Sequence, residues 1–184
     1  MKKILITVAI YALTNAALYA DTSPATAPAA STQPTINCQY HIPKATQAIE
    51  LQLVSTWAEK AAMQSFDLSH NTIDAQLATL KPCYTDLGWK GFNDALQQSG
   101  NINAIKSQQL SASSQVNGKS QITAMKDNQW KVTLPMQVVY QNNKERLTQN
   151  LMINLIIGRK GSGDLGIMQL IAAPQQTAQV KPAM

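Results

Sequence analysis

The chain has 184 residues, of which 45% are hydrophobic and 14% charged, and a formal net charge of +5. That is a globular composition of low charge density, its polar share carried by Gln, Asn, Ser and Thr. A nucleic-acid binder gathers basic residues on one face and favours arginine; here Arg146 and Arg159 are the arginines and the lysines scatter from Lys44 to Lys181, which argues against that class.

Met1-Lys2-Lys3 is a short basic start, Ile4 to Leu13 an apolar run, and the stretch ending Leu18-Tyr19-Ala20 closes on a small residue before Asp21. These are the three parts of a bacterial secretory signal over residues 1–20, cleaved after Ala20. The alternative is an uncleaved anchor, since Ile4 to Ala20 is at the lower limit for spanning a bilayer. Either way the remainder lies outside the cytoplasm. Without Lys2 and Lys3 the balance is 13 basic against 10 acidic residues. Asp21 to Thr35, with Pro24, Pro28 and Pro34, cannot bury enough apolar surface to order itself, and a flexible tether is assigned to 21–41. One domain is assigned to 42–174, long enough to bury about two thirds of its surface on folding. The Gln-rich segment 175–184 is assigned as a disordered tail.

Pro43 suits the first turn of a helix, where its missing N–H costs nothing. From there Ala45, Ile49, Leu53, Trp57 and Ala61 recur on one side, with Val54, Ala58 and Ala62 alongside, which predicts a long amphipathic helix closed by Phe66-Asp67-Leu68. Ser69 or Asn71 can cap a second helix through Ile73, Leu77 and Leu80, stopped by Lys81-Pro82. Thr85 caps a third, with Asp86 in its first turn and Leu87, Trp89, Phe92 and Leu96 as its buried stripe. Gly88 and Gly91 weaken that helix, so a strand or helix is expected to pass close to them. Ser99-Gly100-Asn101 ends it and starts a short fourth helix over Ile102 and Ile105.

Beyond about Gln108 the period changes from helix to strand. Gln109 to Val116 and Gln121 to Met125 flank Asn117-Gly118, a strong hairpin turn signal. Trp130, Val132, Leu134, Met136, Val138 and Tyr140 then alternate with Lys131, Thr133, Pro135 and Gln137. After the polar link Asn142 to Glu145, Leu147, Leu151, Ile153, Leu155 and Ile157 share one parity, and a last strand runs from Leu165 to Ala172. Helices segregated from strands give an α+β class: three or four N-terminal helices packed on a curved antiparallel sheet of four or five strands.

Several of these stretches resemble one known family. Tyr84-Thr85-Asp86-Leu87-Gly88-Trp89 with Phe92 and Ala95-Leu96 is similar to the signature helix of the IcmL/DotI family, and Trp130 to Met136, ending at Tyr140, to one of its strands. Gly166-Ile167-Met168-Gln169 resembles its last strand, and Trp57-Ala58 with Phe66 its first helix. The resemblance spans roughly Ala45 to Pro174, in the same order. It implies a part of the Dot/Icm type IVB secretion system, located in the periplasm, with a cone of helices against a curved sheet related to nuclear transport factor two. It also implies protein partners among envelope secretion subunits, with self-association open. Better-known members carry a cytoplasmic segment and a clear transmembrane helix, whereas this chain starts with a signal-like segment and a tether.

No catalytic constellation is legible. Cys38 and Cys83 are the only cysteines, and in an oxidising compartment such a pair either bridges or stays as two separate thiols. His41 and His70 lack the spacing of a metal site, and no cofactor is expected. Asp67 can imitate the buried base of an isomerase built on a related cone, but charges at helix ends explain it as well. Trp57, Trp89, Phe92, Trp130 and Tyr140 read as core aromatics. Arg159, at the end of its strand, is a candidate partner contact. The leading reading is a non-enzymatic docking protein; the alternative is a free periplasmic paralogue with a small ligand in the cone mouth.

Overall fold

The computed structural model describes residues 36–43, 46 and 49–175; the expected signal, most of the tether and the tail lie outside them. The element order is α1 (Leu51–Phe66), α2 (Ile73–Leu80), a single 3-10 turn (Lys81–Cys83), α3 (Asp86–Gln98) and α4 (Asn101–Ser107), followed by β1 (Ser111–Val116), β2 (Gln121–Ala124), β3 (Trp130–Gln141), β4 (Arg146–Arg159) and β5 (Leu165–Pro174). The fold is α+β: four helices against an open antiparallel sheet of five strands, in the order β1-β3-β4-β5 with β2 also on β3.

The alternating pattern decides which face is covered. Trp130, Val132, Leu134, Met136 and Val138 of β3 are buried together with Leu151, Ile153, Leu155 and Ile157 of β4. The residues between them carry amides across the other face: Gln115 pairs with Gln137, Gln137 with Asn150, and Thr133 with Asn154. Onto the apolar face α1 lays Val54, Trp57, Ala58, Ala61 and Ala62, and it lies across β1, β2, β3 and β4. Its alanines allow this close approach, as their spacing predicts.

The Asn117-Gly118 signal does not make a hairpin. β1 and β2 both pair antiparallel with β3, so they are two pieces of one interrupted edge strand. The cause is Pro135. Asn117 N–H donates to Pro135 O at 3.1 Å, and an antiparallel residue points its N–H and C=O the same way. The proline's missing donor therefore faces this edge, and the edge chain bulges past it, Asn117 to Ser120 standing opposite Leu134 and Pro135. Gly118 lies against the ring, where a Cβ would stand 2.6 Å from Pro135 Cγ.

The first helix begins at Leu51, well after Pro43, and Ala45 lies outside the described residues. The reason is a strap upstream. Trp57 Nε1 donates to Asn37 O at 3.1 Å, Ile42 N–H donates to Gly163 O at 3.1 Å, and Leu165 N–H donates to Tyr40 O at 3.0 Å. Cys38 and Cys83 are joined as a disulfide. Arg159 Nη2 donates to Ile42 O, so this side chain holds the strap and does not stand free for a partner. Ile36, Cys38 and Ile42 are buried, so the packed chain already includes 36–41, which had been assigned to the tether.

Other expectations shift locally. α2 starts after Thr72, because Ser69 hydrogen-bonds Asn71 and its N–H goes to Gln76 Oε1. Leu147 is exposed, at the rim of an open groove that it shares with Asn101, Ala104 and Ile105 of α4. Leu87 is 83% exposed and does not belong to the buried stripe of α3, which is Gly88 and Phe92 with Trp89 and Leu96 half-buried.

The two glycines of α3 separate cleanly. Thr85 accepts from Gly88 N–H at 3.1 Å, and its own N–H donates to Ile167 O at 3.0 Å, which presses the helix start onto β5. A Cβ on Gly88 would stand 2.1 Å from Ile167 O, whereas one on Gly91 meets nothing within 4 Å. Gly88→Ala is therefore expected to destabilise by about 2–3 kcal/mol through backbone displacement. Gly91→Ala should stabilise by roughly 0.5–1 kcal/mol from helix propensity alone. Equal urea midpoints for the two variants would remove the close-contact account.

Candidate docking edge

The residues singled out in the sequence fall into three places. Tyr84, Trp89 and Phe92 form one aromatic cluster, with Tyr84 stacked on Phe92 at 4.9 Å and edge-on to Trp89 at 5.7 Å. Gly88 and Gly166 lie at its contact with β5, where Cβ atoms would strike Ile167 O and the Lys160 side chain. Trp57 and Phe66 sit on α1, and Trp130, Pro135 and Tyr140 on β3. Ser65 Oγ donates to Ala61 O at 2.7 Å, so the Tyr84 hydroxyl donates to Ser65 at 2.8 Å and ties the cluster to α1. Burial holds that phenol protonated well above the ordinary range.

These aromatics fill the interior. Phe92, Trp130 and Leu151 are buried, with Trp89 packed against the same core. Among the described residues no group of His, Cys, Asp and Glu is arranged to hold a metal ion. The chemistry left to consider is that of the sheet margins, where backbone donors and acceptors need partners.

The two margins differ at β1 and β5, while the short β2 between Lys119 and Lys126 has no backbone partner at Ile122 and Ala124 among the described residues. The outer edge of β1 is covered: Leu68 N–H donates to Ala112 O, Ala112 N–H to Leu68 O, and His70 N–H to Leu110 O. Asp67 completes the cover, its Oδ1 accepting from Ser114 N–H at 2.6 Å and Ser114 Oγ at 2.8 Å. This role was not legible beforehand, since Ser114 lies 47 residues further on. It explains Asp67 without catalysis.

Burial pushes the Asp67 carboxyl above its ordinary value, while the two Ser114 bonds pull it down. A carboxyl raised in the native state contributes stability that is fully present below its ordinary value and is lost as pH rises through the raised one. The stability difference between the wild type and Asp67→Asn is thus expected to favour the wild type more at about pH 4 than at about pH 7. The same difference in urea unfolding at both would show that Asp67 titrates normally.

β5 is treated otherwise. Its first residues are covered by the strap at Leu165 and by Thr85 at Ile167. At Met168 the register slips by one residue, a bulge whose side chain lies over Gly158. Beyond it Gln175 N–H donates to Asn150 O at 2.8 Å, so by alternation Ala173, Ile171 and Gln169 also turn their backbone groups toward β4. Leu170, Ala172 and Pro174 point theirs outward, and Pro174 has no N–H to leave unpaired there. Among the described residues the outward N–H and C=O of Leu170 and Ala172 have no partner.

An open groove of about 450 Å³ runs along this stretch, lined among others by Leu87 and Gly91 of α3 and by Met168, Gln169, Leu170 and Ile171 of β5. Ile171 is 49% exposed, and β5 contains no charged residue from Leu165 to Pro174. Edges in native proteins are ordinarily guarded by lysines or covered. From Gln169 to Pro174 this one is neither.

Residues 10–174 match the family described as type-IV b secretion system, inner-membrane complex component, DotI/IcmL. The chain belongs to the DotI/IcmL family. Among solved structures, the periplasmic domain of DotI superposes with a TM-score of 0.66 at 26% identity, covering 71% of this chain and 99% of that one. An IcmL-like type IV secretion system protein from Legionella pneumophila gives a TM-score of 0.68 at 18% identity, covering 71% and 96%. A periplasmic fragment of TraM gives 0.60 at 21% identity, covering 70% and 100%, and these last two likenesses speak for the shared fold. No curated protein matches the chain. Among the described residues no helix is long and apolar enough to cross a membrane. In this DotI/IcmL relative the stretch from Tyr84 to Phe92 packs against β5 at Gly166 and Ile167.

Proposed function

We propose that this DotI/IcmL member is a periplasmic, non-enzymatic docking component of a type IVB secretion machine, joined to other envelope subunits through the outer edge of β5. The observation that carries the reading is the uncharged, unpartnered stretch from Gln169 to Pro174 beside α3. Backbone groups on such an edge supply affinity, and the flanking groove supplies side-chain selection. The periplasmic placement is supported by the DotI likeness, which is to a periplasmic domain.

The test is affinity purification of the C-terminally tagged full chain from its native envelope in mild detergent. Inner-membrane secretion subunits should accompany the wild type in defined ratio and be lost with Ala172→Pro, which removes an outward N–H but no ladder bond. The melting temperature should stay unchanged. Undiminished recovery with this and other β5-edge variants would overturn the proposal.

A further inference from the structure

Resting on that reading of the β5 edge, we infer that one occupant of the edge is β5 of a second copy of this chain, paired antiparallel across a two-fold axis. The free groups are self-complementary in one register. If Ile171 faces Ile171 of the copy, Leu170 stands opposite Ala172 of the copy and Ala172 opposite its Leu170. Each of these residues carries both an outward N–H and an outward C=O, so all of them exchange bonds. A register centred on Ala172 would instead set Leu170 against Pro174, which has no N–H to return. The symmetric register also places the exposed Ile171 side chains against each other on the same face.

Charge supports the same occupant. A two-fold sets like residues close together, so any lysine or acid near the axis would repel its own copy. From Leu165 to Pro174 there is none, and Leu87, Gly88, Gly91, Phe92 and Ile156 of the groove add none. The covered β1 edge lacks this option, because Asp67 and the Leu68 to His70 segment already take its donors.

The experiment is cysteine cross-linking in the full chain within its envelope. Directly opposed residues of a non-hydrogen-bonded antiparallel pair hold their Cβ atoms about 4.5–5.5 Å apart, near enough for a disulfide after small adjustment. Ile171→Cys is expected to give a reducible homodimer band under mild oxidation. Leu147→Cys, equally exposed but on the far end of β4, should remain monomeric. Ile171→Lys should elute as a monomer on gel filtration where the wild type elutes as a dimer, at an unchanged melting temperature. No homodimer band with Ile171→Cys, or one no stronger than with Leu147→Cys, would overturn the self-pairing. A cross-link from Ile171→Cys to a different protein with no homodimer band would also overturn it while leaving the edge as a docking site. Loss of both, with subunit recovery unaffected by Ala172→Pro, would overturn the docking reading as well.

Discussion

Removing the Cys38–Cys83 bridge is expected to lower stability by about 4 kcal/mol, the loop-entropy value for a crosslink of this span. The bridged residues are 45 apart in sequence and their Cα atoms 4.4 Å apart. Cys83, the last residue of the 3-10 turn, is fully buried, and Cys38 lies in the strap. Without the bond, the strap depends on a few hydrogen bonds, each worth roughly 1 kcal/mol net. Those bonds also order the start of α1 and the loop before β5, so the loss should spread beyond the two sulfurs. The double variant Cys38→Ala/Cys83→Ala, compared with the oxidised wild type in urea and by calorimetry, should melt roughly 10 °C lower. A difference under about 1 kcal/mol would mean that the noncovalent strap suffices alone.

Trp130→Ala should cost a comparable 3–5 kcal/mol. Trp130 is 4% exposed and opens β3, opposite Ile157 of β4 and Ala124 of β2. Both neighbours are held in ladders, so the surroundings have little freedom to close over the space left by an indole. Collapse is what makes large-to-small changes tolerable, and here the backbone restrains it. Equilibrium unfolding in urea reads this directly, with Trp57 and Trp89 left as fluorescent reporters. A loss under about 1.5 kcal/mol would show that the sheet relaxes into the gap.

Much of the architecture was legible because its signals are local. β3 and β4 follow a period-two pattern over a dozen residues, and Thr85 caps α3 as its chemistry demands. What escaped depends on pairs far apart in the chain. α1 starts late because Ile42 is tied to Gly163 and Arg159, which nothing near Pro43 announces. Asn117-Gly118 is a sound turn signal, yet the proline facing it on β3 converts the turn into a bulge. Leu87 follows the helical stripe by spacing, but α3 sits at the sheet margin, so that side chain meets the groove and not the core. The candidate site itself was visible only as an uncharged last strand. Whether its outward donors are free depends on what else reaches that margin, and on the β1 side Asp67 and the Leu68 to His70 segment do.

The disulfide also sets a mechanical path. Tension applied to the chain upstream of Ile36 passes through the sulfur bridge at Cys38 into Cys83, and from there through Thr85 into β5 at Ile167. The covalent path skips the polypeptide between the two cysteines, including α1 and α2, which the strap ahead of Cys38 touches through the bonds of Ile36 to Gln64 and Asn37 to Trp57. Once those two bonds give way, a pull on the N-terminal side is carried by the sulfur bridge to β5, and the covalent load does not peel α1 from the sheet. In the reduced protein the same pull would unzip the strap and reach α1 first, so oxidation decides which part of the molecule feels the force.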